Sequence, residues 1–146
     1  MNIYVTGATS DENFVVYHLI KESFSNMGHE VKTPLDTIEF CKNHSDKERF
    51  DKAMKDIDAA DLVISEISGP SCGQGFELGV LFAKGFKNVI LITSSSSYTS
   101  GILKGAFGEP VKYDRNNLSK LLNQLQNKIQ WPLSKNMFKQ IWSPFK

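Results

Sequence analysis

The apolar positions of the chain follow two patterns. Leu62, Val63, Ile64 and Ile67 form one short apolar run and residues 89–92 another, each bounded by turn-forming residues, and both predict strands covered on two faces of a parallel sheet. Residues 2–6 (NIYVT) read as a first strand and 110–113 as a final edge strand. A helical period appears in Val16, Ile20, Phe24 and Met27, with Asp11 and Glu12 opening the helix and Gly28 closing it. Residues 30–33 predict a short second strand, and 34–44 an irregular connection. Ser45 and Glu48 form a capping box that opens a helix with the apolar stripe Phe50, Ala53, Met54, Ile57 and Ala60. Leu118, Leu121, Leu122, Leu125 and Ile129 predict an amphipathic helix stopped at Trp131 and Pro132, and Leu133, Met137, Phe138, Ile141 and Trp142 a last one. The order βα(β)αβαβ(β)αα predicts an α/β sandwich of flavodoxin-like or Rossmann-like type, with about five mostly parallel strands and helices on both faces.

With 146 residues and 40% hydrophobic content, residues 1–146 are expected to form a single domain. No apolar run reaches transmembrane length, and the N-terminus is strand-like rather than a signal sequence, so a cytoplasmic protein with no membrane partner is expected. Two cysteines, Cys41 and Cys72, are too few for a disulfide framework and lack zinc-site spacing; neither they nor His18, His29 and His44 predict a metal. A Cys–His nucleophile built on Cys72, at a helix start, is an alternative for which nothing in the sequence supplies the base. Residues 111–146 hold seven Lys or Arg against one acid. Lys120, Lys128, Lys135 and Lys139 are spread without interleaved exposed aromatics, which predicts a solvated face and no nucleic-acid partner. Response regulators share the architecture but need an acidic pair after the first strand and an Asp ending the third; Gly7, Ala8, Ser68 and Gly69 stand there instead.

The chemistry concentrates between residues 61 and 93. The turn at 69–79 (GPSCGQGFELG) leads into a predicted buried helix in which Glu77 is surrounded by Phe76, Leu78, Val80, Leu81, Phe82 and Ala83. Gly73, Gly75 and Gly79 are expected to let backbone approach a ligand and to let the helix lie tight on the sheet, while Ser71 offers a hydroxyl at the helix entry. Ligands of open α/β sheets sit at these strand ends. The helix N-terminus favours an ionised Glu77 and burial a neutral one, so its protonation state stays open, as does a role as mere complement to the helix dipole. The turn of Gly7, Ala8, Thr9 and Ser10 before the first helix is a natural anion site, although the G-x-G-x-x-G dinucleotide fingerprint is absent. Asp51 and Asp58 share an edge of their helix, where each is either a solvated acid paired with a lysine or a group reaching the active mouth. The segment 94–108 (SSSSYTSGILKGAFG) reads by composition as a flexible loop.

Residues 60–79, AADLVISEISGPSCGQGFELG when read with its flank, resemble the signature of the nucleoside 2-deoxyribosyltransferase superfamily, most of all its 2'-deoxynucleoside 5'-phosphate N-hydrolase branch. The resemblance implies Glu77 as the nucleophile on the anomeric carbon and Ser71 as a phosphate contact. It implies a substrate-binding role for Tyr4, Gly7, Ala8, Thr9 and Ser10, and for Gly73 and Gly75. It also implies that Ser100 and Ile102 enter a neighbouring subunit's site, hence a homodimer with shared active sites, with no cofactor. The apolar faces around Phe14, Tyr17 and Phe107 are expected to contribute to that interface. Two positions depart from the pattern: the hydrolases carry an arginine where this chain has Ser10, and a helix aspartate where it has Ala53, with Asp51 the nearest substitute. The expected activity is N-glycosidic cleavage of a (2'-deoxy)nucleoside 5'-monophosphate. A base-exchanging deoxyribosyltransferase and a non-catalytic nucleotide-binding or sensor module are the alternatives.

Overall fold

The computed structural model describes residues 1–130. The predicted stop at Trp131 and Pro132 and the predicted last helix lie outside the described residues. Five strands form one sheet, β1 (Asn2–Gly7), β2 (Glu30–Lys32), β3 (Leu62–Glu66), β4 (Val89–Ser94) and β5 (Val111–Tyr113), in the order β2-β1-β3-β4-β5. All four pairings are parallel, and Gly7 stands opposite Glu66 at the carboxyl end of the β1–β3 pair. This is the flavodoxin-like order expected from the sequence. Its topological switch lies between β1 and β3, so the crevice at their carboxyl ends is where a ligand belongs.

Alternation along the strands divides the core in two. Ile3 and Val5 of β1 with Leu62 and Ile64 of β3 pack against α1 (Asp11–Asn26) and α6 (Leu118–Gln130), through Val16, Tyr17, Ile20, Phe24, Leu121 and Leu125. Tyr4 and Val63 face the other way, onto Ile57 of α3 (Asp46–Ala59), the Ala60 that follows it, and Leu78 and Leu81 of α4 (Cys72–Ala83). Ile64, fully buried at the centre, would cost about 2–5 kcal/mol if cut to alanine. Gly28 ends α1 as expected, at φ 85°, with the His29 amide reaching back to the Phe24 carbonyl. The Ser45–Glu48 box forms in both directions, Ser45 N donating to Glu48 Oε2 at 2.8 Å and Glu48 N to Ser45 Oγ at 3.3 Å. No helix among the described residues is long and apolar enough to cross a membrane.

Several expectations are corrected. Residues Pro34–Cys41 form a helix, α2, rather than an irregular connection. Pro34 sits in its first turn, where a missing N–H is harmless, and Asp36 accepts from both the amide (2.8 Å) and the hydroxyl (3.1 Å) of Thr33. The serine-rich segment is structured: residues Gly101–Phe107 are helical (α5), and Ser95 donates to the Tyr113 carbonyl through its amide (2.8 Å) and its hydroxyl (3.0 Å). Tyr17 is fully buried and so offers no surface to an interface, whereas Phe14 is only partly buried against the α1-side core. Helix α4 is not buried all round, because Phe76 and Phe82 are more than half exposed. A Cβ added at Gly73, Gly75 or Gly79 would meet nothing within 4 Å, so these glycines do not serve close packing on the sheet. The tight approach is at Gly7, where a Cβ would run into the Tyr17 hydroxyl and come within 2.9 Å of the Glu66 carbonyl oxygen.

Candidate active site

Helix α4 starts at the carboxyl end of β3 and is fixed there by two side chains. Ser71 caps it, accepting from Gln74 N at 3.3 Å. Gln74, buried in the first turn, donates from Nε2 to Ser65 Oγ (2.8 Å) and to the Glu66 carbonyl (2.6 Å), locking the helix to the strand. One turn on, Glu77 hangs over the α4-facing side of β1. Tyr4 donates its hydroxyl to Glu77 Oε1 at 2.9 Å, and Thr6 donates to Oε2. Tyr4 and Thr6 are two residues apart on one strand, so both point at the same face, and each carboxylate oxygen receives one donor.

Burial pushes the Glu77 carboxyl above the ordinary glutamate range, while the hydrogen bonds from Thr6 and Tyr4 pull the other way. Burial, and then the Glu77 charge, hold the Tyr4 hydroxyl far above its usual range, so Tyr4 remains a donor at any working pH. The result is an oriented carboxylate, partly screened from water, whose charged form is retained by two hydroxyls. A group of this kind can act as a nucleophile or as a base.

The sequence-predicted residues distribute unevenly around it. Tyr4 touches Glu77 directly. Gly7 and Ala8 are half-buried and Thr9 and Ser10 exposed, in the loop that leaves β1 at the same end of the sheet. The Ala8 carbonyl is occupied by Tyr17 Oη (2.8 Å) and Asn13 Nδ2 (3.3 Å), whereas Ser10 makes no side-chain cap bond at the start of α1. Asp51 is not drawn to Glu77; its carboxylate pairs with Lys47 on the outer side of α3, and Asp58 pairs with Lys84. Ser100 caps α5 without a side-chain bond. Ile102, 85% exposed, lines an open apolar groove of about 410 Å³ with Gly75, Leu78, Gly79, Phe82 and Phe107. Gly75 thus belongs to that groove, and Gly73 is exposed in the first turn.

Thr6, Gln74 and Glu66 were not signalled by the sequence reading. Thr6 was reachable from the strand period, since it follows Tyr4 by two. Two exposed aromatics, Phe50 of α3 and Phe76 beside Glu77, pack at 6.0 Å between ring centroids. The chain has two arginines. Arg49 is committed to the α2–α3 junction through the carbonyls of Cys41 (2.6 Å) and His44 (3.1 Å). Arg115 reaches the first turn of α1, donating to the Glu12 carbonyl (2.7 Å) and Asn13 Oδ1 (3.0 Å).

The chain is 27% identical over 119 residues to a 5-hydroxymethyl-dUMP N-hydrolase of Danio rerio, covering 76% of this chain and 82% of that one. Its fold is similar to that of a 2-deoxyribosyltransferase from Bacillus psychrosaccharolyticus, with a TM-score of 0.62 and 17% identity over 80% of this chain and 88% of the other. The family model described as nucleoside 2-deoxyribosyltransferase matches residues 3–131, and with most of its length so matched the chain belongs to the nucleoside 2-deoxyribosyltransferase family.

Proposed function

We propose that the protein hydrolyses the N-glycosidic bond of a 2'-deoxynucleoside 5'-monophosphate, with Glu77 as the nucleophile. Family membership by itself carries the coarser statement, that this is an enzyme of nucleoside or nucleotide N-glycosidic chemistry. The observation that supports the finer one is the paired grip of Tyr4 and Thr6 on the two oxygens of Glu77 at the sheet's ligand end. In this reading a Glu77 oxygen gives an electron pair to C1' as the C1'–N bond breaks through an oxocarbenium-like transition state. The base leaves with the electrons of that bond and takes up a proton. Water then attacks C1', gives up a proton and frees the carboxylate. Phe50 and Phe76, exposed on α3 and α4, pack together and provide an apolar surface on which a base can stack.

For the phosphate, Ser71 accepts from its helix and keeps its own O–H to donate, and the 7–10 loop offers backbone amides before α1. Arg115 adds positive charge at that helix start, from the far side of the chain, where the loop itself has Ser10. The exposed groove between α4 and α5 is read as the contact with a second copy, which would take Ser100 and Ile102 to the partner's site. The test is incubation with deoxynucleosides and their 5'-monophosphates, with and without free base, followed by chromatography. Base release from monophosphates in water is expected, and Ser71→Ala should slow that release while sparing any activity on nucleosides. Release that requires an acceptor base would establish a transferase, the reading favoured by Ser10 standing where the hydrolases carry arginine.

A further inference from the structure

A second carboxylate at the ligand end of the sheet has no part in the chemistry above. Glu66 ends β3, is 0% exposed and stands in register with Gly7. Its side chain follows Leu62 and Ile64 onto the α1 side of the sheet, opposite Glu77. Four donors converge on it: Asn13 Nδ2 at 2.7 Å, the Tyr113 hydroxyl at 3.0 Å, the Ser68 amide at 3.2 Å, and the Ser68 hydroxyl. Each partner donates, so the site suits an acceptor-only, ionised carboxylate. Positive charge lies one step away, where Arg115 bonds the same Asn13 amide through its oxygen.

The donors come from separate pieces of chain that all border the crevice. Asn13 also holds the Ala8 carbonyl of the first loop. The Ser68 hydroxyl, besides donating to Glu66, accepts the Ser94 amide at 2.7 Å, which carries the link to the serine-rich segment. Tyr113 closes the ring, its carbonyl holding Ser95. The Glu66 carbonyl receives Gln74, three residues before Glu77. An apolar side chain would fill a core position at lower desolvation cost. A charge is explained when its donors must be held in one mutual arrangement.

We propose that Glu66 is a positioning residue, a buried anion that fixes the first loop, the 67–71 turn and the serine-rich segment relative to one another so that substrate is bound in register with Glu77. The kinetic part rests on the N-glycosidase reading; the structural part does not. Glu66→Gln keeps the shape but turns one acceptor into a donor facing donors, whereas Glu66→Asp keeps the charge. Peptide-resolved hydrogen exchange on Glu66→Gln should quicken in segments 7–10, 67–71 and 94–97 by about tenfold or more, the weight of one hydrogen bond to a charged group, with the central β3–β4 amides unchanged. Glu66→Asp should recover part of that protection. In kinetics the Gln variant should raise KM by about tenfold while kcat and its acid limb stay near wild type. Unchanged exchange in the three segments, a uniform rise over the whole chain, or a fall in kcat at constant KM would each overturn the proposal. A wild-type chain that cleaves no nucleoside or nucleotide would sink the functional reading alone, with the exchange result still deciding the role of Glu66. Should Glu66→Gln not fold, Ser68→Ala removes one donor and the link to Ser94, and the same exchange comparison at 67–71 and 94–97 decides.

Discussion

Tyr4→Phe removes one hydroxyl and nothing else from the site. That hydroxyl bonds Glu77 Oε1 at 2.9 Å, is itself buried, and can serve only as a donor to the carboxylate. A hydrogen bond to a charged group is worth about 1.5–3 kcal/mol, and one pKa unit corresponds to about 1.4 kcal/mol. Thr6 continues to hold the other oxygen, so the lower end of that range applies: the ionised Glu77 should lose about 1.5 kcal/mol of support, which raises its pKa above that of wild type. Glu77 must be ionised to attack, so kcat falls as pH falls through its pKa. Burial raises the Glu77 carboxyl above the ordinary glutamate range, so the acid limb is expected there, and the substitution should move it further up. At pH well above both limbs the variant should lose less, through poorer orientation of the carboxylate. The assay is the initial rate of base release across pH, on wild type and variant in the same buffers. An acid limb that stays in place, or moves down, would refute the view that Tyr4 sustains the charged form of Glu77.

Three further outcomes follow from the same contacts. Glu77→Gln should unfold at a higher temperature than wild type at neutral pH: a carboxyl whose folded pKa is raised contributes fully below its unfolded value of 4.5, and that contribution is lost as pH rises through the folded pKa. The advantage should shrink in melts recorded below pH 4.5. Gln74→Ala leaves Ser65 and the Glu66 carbonyl short of a donor, and denaturant titration should show a loss of about 1–3 kcal/mol. Ile102→Glu puts a charge at the edge of the α4–α5 groove; sedimentation should show wild-type dimers and variant monomers, and an unchanged dimer would place the interface elsewhere.

The sheet was legible because β1, β3 and β4 are covered on both faces and so carry nearly unbroken apolar runs. Glu77 stood out as a carboxylate within an apolar helix, and the motif around it indicated the family. What the sequence concealed depends on which face each strand residue takes and on contacts distant in sequence. Thr6 is an ordinary strand residue until α4 lies across it. Glu66 looks like a polar end to an apolar run until Asn13, Ser68 and Tyr113 gather round it. The serine run has the composition of a loose loop, yet its order comes from Ser68 and the Tyr113 carbonyl, neither of which is local. Asp51 shared a helix edge that could have faced the site, but Lys47 lies four residues away on the exposed side and takes it. The Pro34 helix was hidden because proline reads as a breaker unless its place in the first turn is recognised.

The central claim is a covalent bond between Glu77 and the sugar. Wild-type protein mixed with a cleaved 2'-deoxynucleotide, quenched in acid during turnover and digested, should yield a peptide containing Glu77 heavier by one deoxyribose phosphate, and Glu77→Gln should yield none. Steady base release with that peptide unmodified, or with the added mass on another residue, would contradict the account.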